Sequence, residues 1–167
     1  WNSDRKEMAT TETVNDGIVF HISDVGTADW NIQLKQGGIN LEQGCDYRLA
    51  FKVTSTESRT IKVGFMDKNT ENWYGGSDVS LEKNREKNVV CKFTMTKDTD
   101  AESLMLISMG KIEGEDTPVS DITLSDFYLE KLEASAITPK PLNENLFKNA
   151  ELNSDGVWET TTYGGAE

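Results

Sequence analysis

Tyr47-Arg48-Leu49-Ala50-Phe51-Lys52-Val53 alternates strictly, with Tyr47, Leu49, Phe51 and Val53 on one side and Arg48, Ala50 and Lys52 on the other. An extended backbone turns successive side chains to opposite faces, so this stretch suits a strand with one face on a core and one in water. Working outward, Ile61-Lys62-Val63-Gly64-Phe65 repeats the pattern, with Ile61, Val63 and Phe65 on the apolar side. Further strand candidates are G-I-V-F-H-I from Gly17, W-N-I-Q-L from Trp30, V-V-C-K-F-T-M from Val89, L-M-L-I-S-M from Leu104, and I-T-L with F-Y-L-E-K-L from Ile122. Turn-forming clusters separate them at Asp16-Gly17, Gly37-Gly38, Gln43-Gly44, Gly75-Gly76 and Gly114. No long stretch keeps the apolar stripe of a helix. Short alternating strands at this spacing predict an all-β chain, a sandwich or barrel of antiparallel strands.

The chain has 167 residues, enough for a domain that needs neither disulfide nor metal to hold a core. Its formal net charge of -12 repels nucleic acid and anionic membranes and favours a neutral or cationic partner. No apolar run approaches the ~20 residues that span a bilayer. Two cysteines are present, Cys45 and Cys91. Each shares the parity of apolar neighbours, Cys45 with Tyr47 and Leu49, Cys91 with Phe93 and Met95, so free buried thiols are favoured over a disulfide.

After Leu132 the composition changes. Residues 1–133 form the sandwich, the stretch E-A-S-A-I-T-P-K-P-L-N-E places a linker at 134–144, and 145–167 reads as a fresh unit. Asn145 to Leu152 is expected to be the first strand of a following module or a strand packing on this one.

Catalysis finds little footing. The single histidine, His21, has no nucleophile at a diagnostic spacing, and no metal-ligand pattern or phosphate loop is present. A binding role is better supported by Thr70-Glu71-Asn72-Trp73-Tyr74-Gly75-Gly76-Ser77-Asp78, which sets two large rings beside turn formers. Adjacent strand residues face opposite ways, so one ring is expected to stay open to water.

The segment W-N-I-Q-L-K-Q-G-G-I-N-L-E-Q-G-C-D-Y-R-L-A-F-K-V, Trp30 to Val53, resembles the hallmark of extracellular carbohydrate-binding modules of the family 4, 9 and 22 type. These have a tryptophan, a Q-L strand and then Leu-x-x-Gly-x-x-Tyr-x-Leu-x-Phe. L-M-L-I-S-M-G and V-S-D-I-T-L-S-D-F-Y-L-E-K-L are similar to their closing strands, and N-L-F-K-N-A-E-L-N-S-D-G-V-W to the opening strand of a neighbouring module. The resemblance spans roughly Gly17 to Leu132. It implies a jelly-roll β-sandwich of two antiparallel sheets that binds a neutral plant polysaccharide along one concave face. The module would be non-catalytic and extracellular or attached to the cell surface. Covalent linkage to the catalytic and binding modules of a secreted bacterial glycanase, a xylanase first, is also implied. Xylan is the first ligand implied, and β-1,4- or mixed-linkage glucan the alternative.

By the same resemblance Trp30 and Tyr74 grip the sugar, with Trp73 the adjacent competitor. Xylan binders carry a carboxylate near the end of the penultimate strand, where this chain has Ser108 and Met109. No cofactor is required. A structural calcium ion is implied beside Asp126, its second ligand coming from an opening strand that would precede Trp1. Reading the residues themselves, Asn31 and Gln33 fall on outward parity, where an amide both donates to and accepts from a hydroxyl. Arg48 shares an outward face on the neighbouring strand. Trp30 shares the inward parity of Ile32 and Leu34 but stands at the strand's start, where it can escape the core. On the later strand, either Met105, Ile107 and Met109 or Leu104 and Leu106 face outward. The rival from another class is a structural or adhesion sandwich of a cell-surface protein, its aromatics serving as core or interface groups.

Overall fold

The computed structural model describes residues 8–15, 17–132 and 158–162. Each strand candidate named above falls in a strand, and β1, β6 and β10 are added to them: β1 (Ala9–Val14), β2 (Gly17–Ile22), β3 (Ile32–Leu41), β4 (Asp46–Ser55), β5 (Arg59–Met66), β6 (Trp73–Leu81), β7 (Lys87–Thr94), β8 (Asp100–Ser108), β9 (Asp121–Leu132) and β10 (Trp158–Thr162). They form two five-stranded sheets, ordered β1-β2-β9-β4-β7 and β10-β3-β8-β5-β6. Every ladder between them is antiparallel. The linker and the segment 145–152 lie outside the described residues. β10, which follows them in the chain, pairs with β3.

The inner faces make one core. Tyr47, Leu49, Phe51 and Val53 of β4 meet Ile61, Val63 and Phe65 of β5. Phe93 of β7 stacks on Tyr47 at 5.4 Å and on Phe65 at 4.5 Å, so one ring ties the two sheets together. Met105, Ile107 and Met109 are buried here, which leaves Leu104 and Leu106 on the outer face. Both thiols are free; Cys91 lies 3.1 Å from the hydroxyl of Ser77.

A bulge keeps β9 in register with this core. Ile122 and Leu124 point inward, and so do Phe127 and Leu129, a change of parity that needs one extra residue. The shift falls between the partners of Ala50 and Lys52, where Asp126 takes a left-handed φ of 55°. The Asp126 carboxylate holds Lys52 at 2.7 Å. Among the described residues no three His, Cys, Asp or Glu side chains gather closely enough to share a metal ion. The second ligand implied above for a calcium ion falls outside the described residues.

The loop from β8 to β9 is fastened from below by Arg59, whose guanidinium is buried and donates to the carbonyls of Met109, Gly110 and Pro118 and to Ser120 Oγ. Burial without a carboxylate partner among these acceptors pushes its pKa down to about 10.

On the outer face of the first sheet His21 pairs with Asp121 at 3.0 Å and lies 3.6 Å from Glu12, linking β1, β2 and β9. The Asp121 carboxylate raises the imidazole above its ordinary 6.5, with Glu12 adding to the effect. A raised folded-state value means that the pair's stabilisation is fully present below 6.5 and is lost as pH rises through the higher folded midpoint. Because the chain has one histidine, its proton NMR titration is unambiguous. The midpoint is expected above 6.5, and Asp121→Asn is expected to lower it more than Glu12→Gln.

Candidate functional site

The sheet containing β3, β8, β5 and β6 presents a furrow of about 690 Å3 on its outer face. Its floor is set by strand register. Gln33, Ser108 and Lys62 stand side by side in one cross-strand row, and Lys35, Leu106 and Gly64 form the next. Gln33 Nε2 donates to Ser108 Oγ at 2.9 Å, which fixes the orientation of the amide. Lys62 Nζ lies 3.3 Å from the carboxylate of Asp29.

Trp30 stands at the rim, 60% exposed. Its inward parity does not apply because Asp29–Asn31 is a 3-10 turn and the strand begins only at Ile32. The turn is held from both sides. Gly110 N donates to the Asp29 carbonyl at 2.9 Å. Asn31 Oδ1 accepts from the backbone N–H groups of Thr27 and Ala28, each at 2.8 Å. Gly26, at a φ of +70°, is needed here because a Cβ would meet Asn31 Oδ1 at 2.4 Å.

Trp73 is the other large ring, 49% exposed. A bulge in β6 aims it: Met66 pairs with Trp73 while Phe65 pairs with Gly75, so Tyr74 is the extra residue. Trp73 thus turns outward, and its six-membered ring lies against the backbone of Gly64 and Gly76, a directly opposed pair across β5 and β6. A Cβ on Gly64 would fall 2.0 Å from Trp73 Cη2, and one on Gly76 2.6 Å from Cζ2. Two missing side chains therefore make the seat of the indole.

Tyr74 turns the other way. Its ring packs against the core, and its hydroxyl donates to Asp100 Oδ2 at 2.8 Å, beside a separate polar hollow of about 630 Å3. Burial, and then the Asp100 carboxylate, push its pKa up to about 12.

Of the residues singled out from the sequence, the furrow gathers Trp30, Gln33 and Trp73. It does not take in the other three. Arg48 is on β4, in the opposite sheet, and pairs with Glu130. Asn31 is buried and spent on its own loop, and Tyr74 faces the neighbouring hollow. The furrow also takes in Leu106, from one of the two alternative outward sets on its strand, and Ser108, noted where xylan binders carry a carboxylate; sequence reasoning missed Asp29, Lys35 and Lys62, which join them only through long-range pairing of β3, β8 and β5. One signal was present: Gly64 occupies an outward position in an otherwise bulky strand, which is where a ring from elsewhere finds room.

Residues 1–118 match the family model of a carbohydrate binding domain. Among solved structures, one described as "CBM4 structure and function" superposes with a TM-score of 0.64 at 22% identity, covering 75% of this chain and 79% of that one. The N-terminal cellulose-binding domain of Cellulomonas fimi β-1,4-glucanase C gives 0.57 at 17% identity, covering 75% and 84%. The apo form of BiXyn10A CBM1 gives 0.57 at 16% identity, covering 77% and 84%. These likenesses are of fold, a jelly roll of two antiparallel sheets. No curated protein matches the chain.

The two glycines under Trp73 should respond differently to alanine. At Gly64 the three atoms nearest an added Cβ all belong to Trp73, so the indole is expected to lift while the core stays intact. At Gly76 the Cβ would also meet the Val63 carbonyl at 2.1 Å, which only the backbone can relieve. Gly64→Ala should change iodide quenching of tryptophan fluorescence with a small change in melting temperature, and Gly76→Ala should cost roughly 1–3 kcal/mol in denaturant unfolding.

Proposed function

The chain belongs to the carbohydrate binding domain family and is a binding module rather than an enzyme, and from that premise we propose that the furrow between Trp30 and Trp73 holds a neutral β-1,4-linked plant polysaccharide, xylan first and β-glucan second. The observation that carries this reading is Trp73, an indole held open to water on a seat of two glycines above a polar floor.

A pyranose ring has an apolar C–H face and an equator of hydroxyls. A fixed indole covers the apolar face, and removing about 100 Å2 of such surface from water contributes roughly 2.5 kcal/mol. Gln33, Ser108, Asp29 and Lys62 lie where hydroxyls of the same chain would reach them. Losses on association offset part of the gain, so two stacked sugars correspond to micromolar-to-millimolar affinity. With a furrow open along the sheet face, an internal stretch of polymer is the natural ligand. The module would act outside the cell, keeping an attached glycoside hydrolase on its insoluble or viscous substrate.

Affinity electrophoresis through gels containing xylan, mixed-linkage glucan or no polymer tests this. Retardation by a polymer is expected, and titration with xylohexaose and cellohexaose then ranks the two backbones. Trp73→Ala and Trp30→Ala should each weaken binding by about tenfold or more with little effect on unfolding, since both rings lie outside the core. Tyr74→Ala should instead lower stability, because it removes a core-packed ring and the Asp100 hydrogen bond. A well-folded chain that no polymer retards would be a structural or adhesion domain.

A further inference from the structure

The outer face of the furrow sheet does not end at Trp73. Lys62 is directly opposed by Asp78 on β6 and by Ser108 on β8, and Ser108 in turn by Gln33 on β3. Directly opposed positions of an antiparallel pair share a face, so Gln33, Ser108, Lys62 and Asp78 form one polar row across four strands. With neighbouring strands about 4.8 Å apart, the row runs for about 14 Å, longer than one pyranose ring. Its first three members line the furrow, and Asp78 lines a separate hollow of about 370 Å3.

Trp73 and Lys62 line both hollows, so the indole has an opening on either side. A sugar stacked on such a ring has room for a neighbour in each direction. β6 is the last strand of its sheet, and the smaller hollow therefore lies at the sheet's edge, where a chain leaving the furrow meets no further strand. Most polar side chains around it are turned elsewhere. Ser77 Oγ lies 3.1 Å from the thiol of Cys91 in the opposite sheet, and the Lys62 ammonium goes to Asp29 at 3.3 Å although Asp78 stands directly across from it. The exposed carboxylate of Asp78 is the group that faces the hollow.

We propose that this hollow is a further sugar subsite, in which Asp78 accepts hydrogen bonds from hydroxyls of the pyranose unit next to the one stacked on Trp73. A carboxylate accepts through two oxygens, and its hydrogen bonds are roughly twice as strong as those between neutral groups, so one side chain engages two hydroxyls of a sugar. This rests on the polysaccharide reading above and extends it: Trp73 lies within the bound stretch of chain and is not its end.

The test uses the full chain and whichever hexaose, xylohexaose or cellohexaose, binds more tightly, together with the tetraose of the same series. A shorter chain held between Trp30 and Trp73 has fewer units to spare for the hollow. Asp78→Ala is therefore expected to raise Kd for the hexaose about three- to tenfold, to raise it less for the tetraose, and to leave the melting temperature unchanged. Asp78→Asn, which keeps one acceptor oxygen, should fall between wild type and alanine. Amide resonances of Ser77 and Asp78 are expected to shift on adding the hexaose to the wild-type chain. Unchanged hexaose affinity in Asp78→Ala, while Trp73→Ala loses binding, overturns the proposal and leaves the polysaccharide reading standing. So does an equal loss for tetraose and hexaose, which is what removing a charge near the site would do without any subsite. A wild-type chain that binds neither hexaose nor polymer overturns both.

Discussion

Trp73 can serve as a platform only because the two positions beneath its ring, Gly64 and Gly76, carry no side chain. The bulge at Tyr74 points the indole outward, and the paired glycines let it settle on bare backbone instead of swinging free. That constraint has an energetic consequence. Immobilising a rotamer-rich side chain on binding costs about 0.5–1.5 kcal/mol, and a ring already seated in the free protein has lost that freedom during folding. The remaining furrow is built around it, with Leu106 and Lys35 continuing the row that begins at Gly64.

The same sheet shows how one residue class is used in two opposed ways. Phe65, one position past Gly64, points inward and stacks on Phe93, where burial of an aromatic contributes to the union of the two sheets. Trp73 lies across the same strand on the other face and leaves about half its surface in water. The net charge of -12 makes that exposure tolerable, since like-charged molecules repel before their apolar surfaces meet. It also narrows the ligand: a polymer with anionic backbone would meet the same repulsion, whereas a neutral one would not.

Strand positions and the division into inward and outward faces were legible in the sequence because both follow from a local period of two. Tyr47 to Val53 is the clearest case, and all four of its apolar residues are buried. What local pattern cannot carry is the sheet to which a strand belongs. Arg48 and Gln33 both read as outward, yet β4 and β3 lie in opposite sheets, so their outward faces look away from each other. Departures from regular strand were equally hidden. Parity misplaced Trp30 because a 3-10 turn precedes Ile32, and an extra residue at Tyr74 turned a side-by-side pair into one ring outside and one at the core. The lysines and the serine of the floor, each unremarkable in its own strand, fall into two adjacent rows only when three strands distant in sequence are laid in register.

That origin of the floor bears on how such a module would choose its sugar. Hydrogen bonds exchanged with water contribute only about 1 kcal/mol each, so the polar rows add less to affinity than the rings do. Their leverage is in rejection: a buried donor or acceptor left without a partner costs more than a satisfied one contributes. Gln33 with Ser108, and Lys62 with Asp29, are satisfied in the free protein, so an empty furrow carries no such penalty at these groups. A sugar that slides over them must offer hydroxyls where those pairs can share them, or it breaks the pairs without replacement. Because the rows are pinned by strand register and not by loops, changing the accepted sugar calls for substitutions within the sheet, at positions whose opposite faces lie directly over the core.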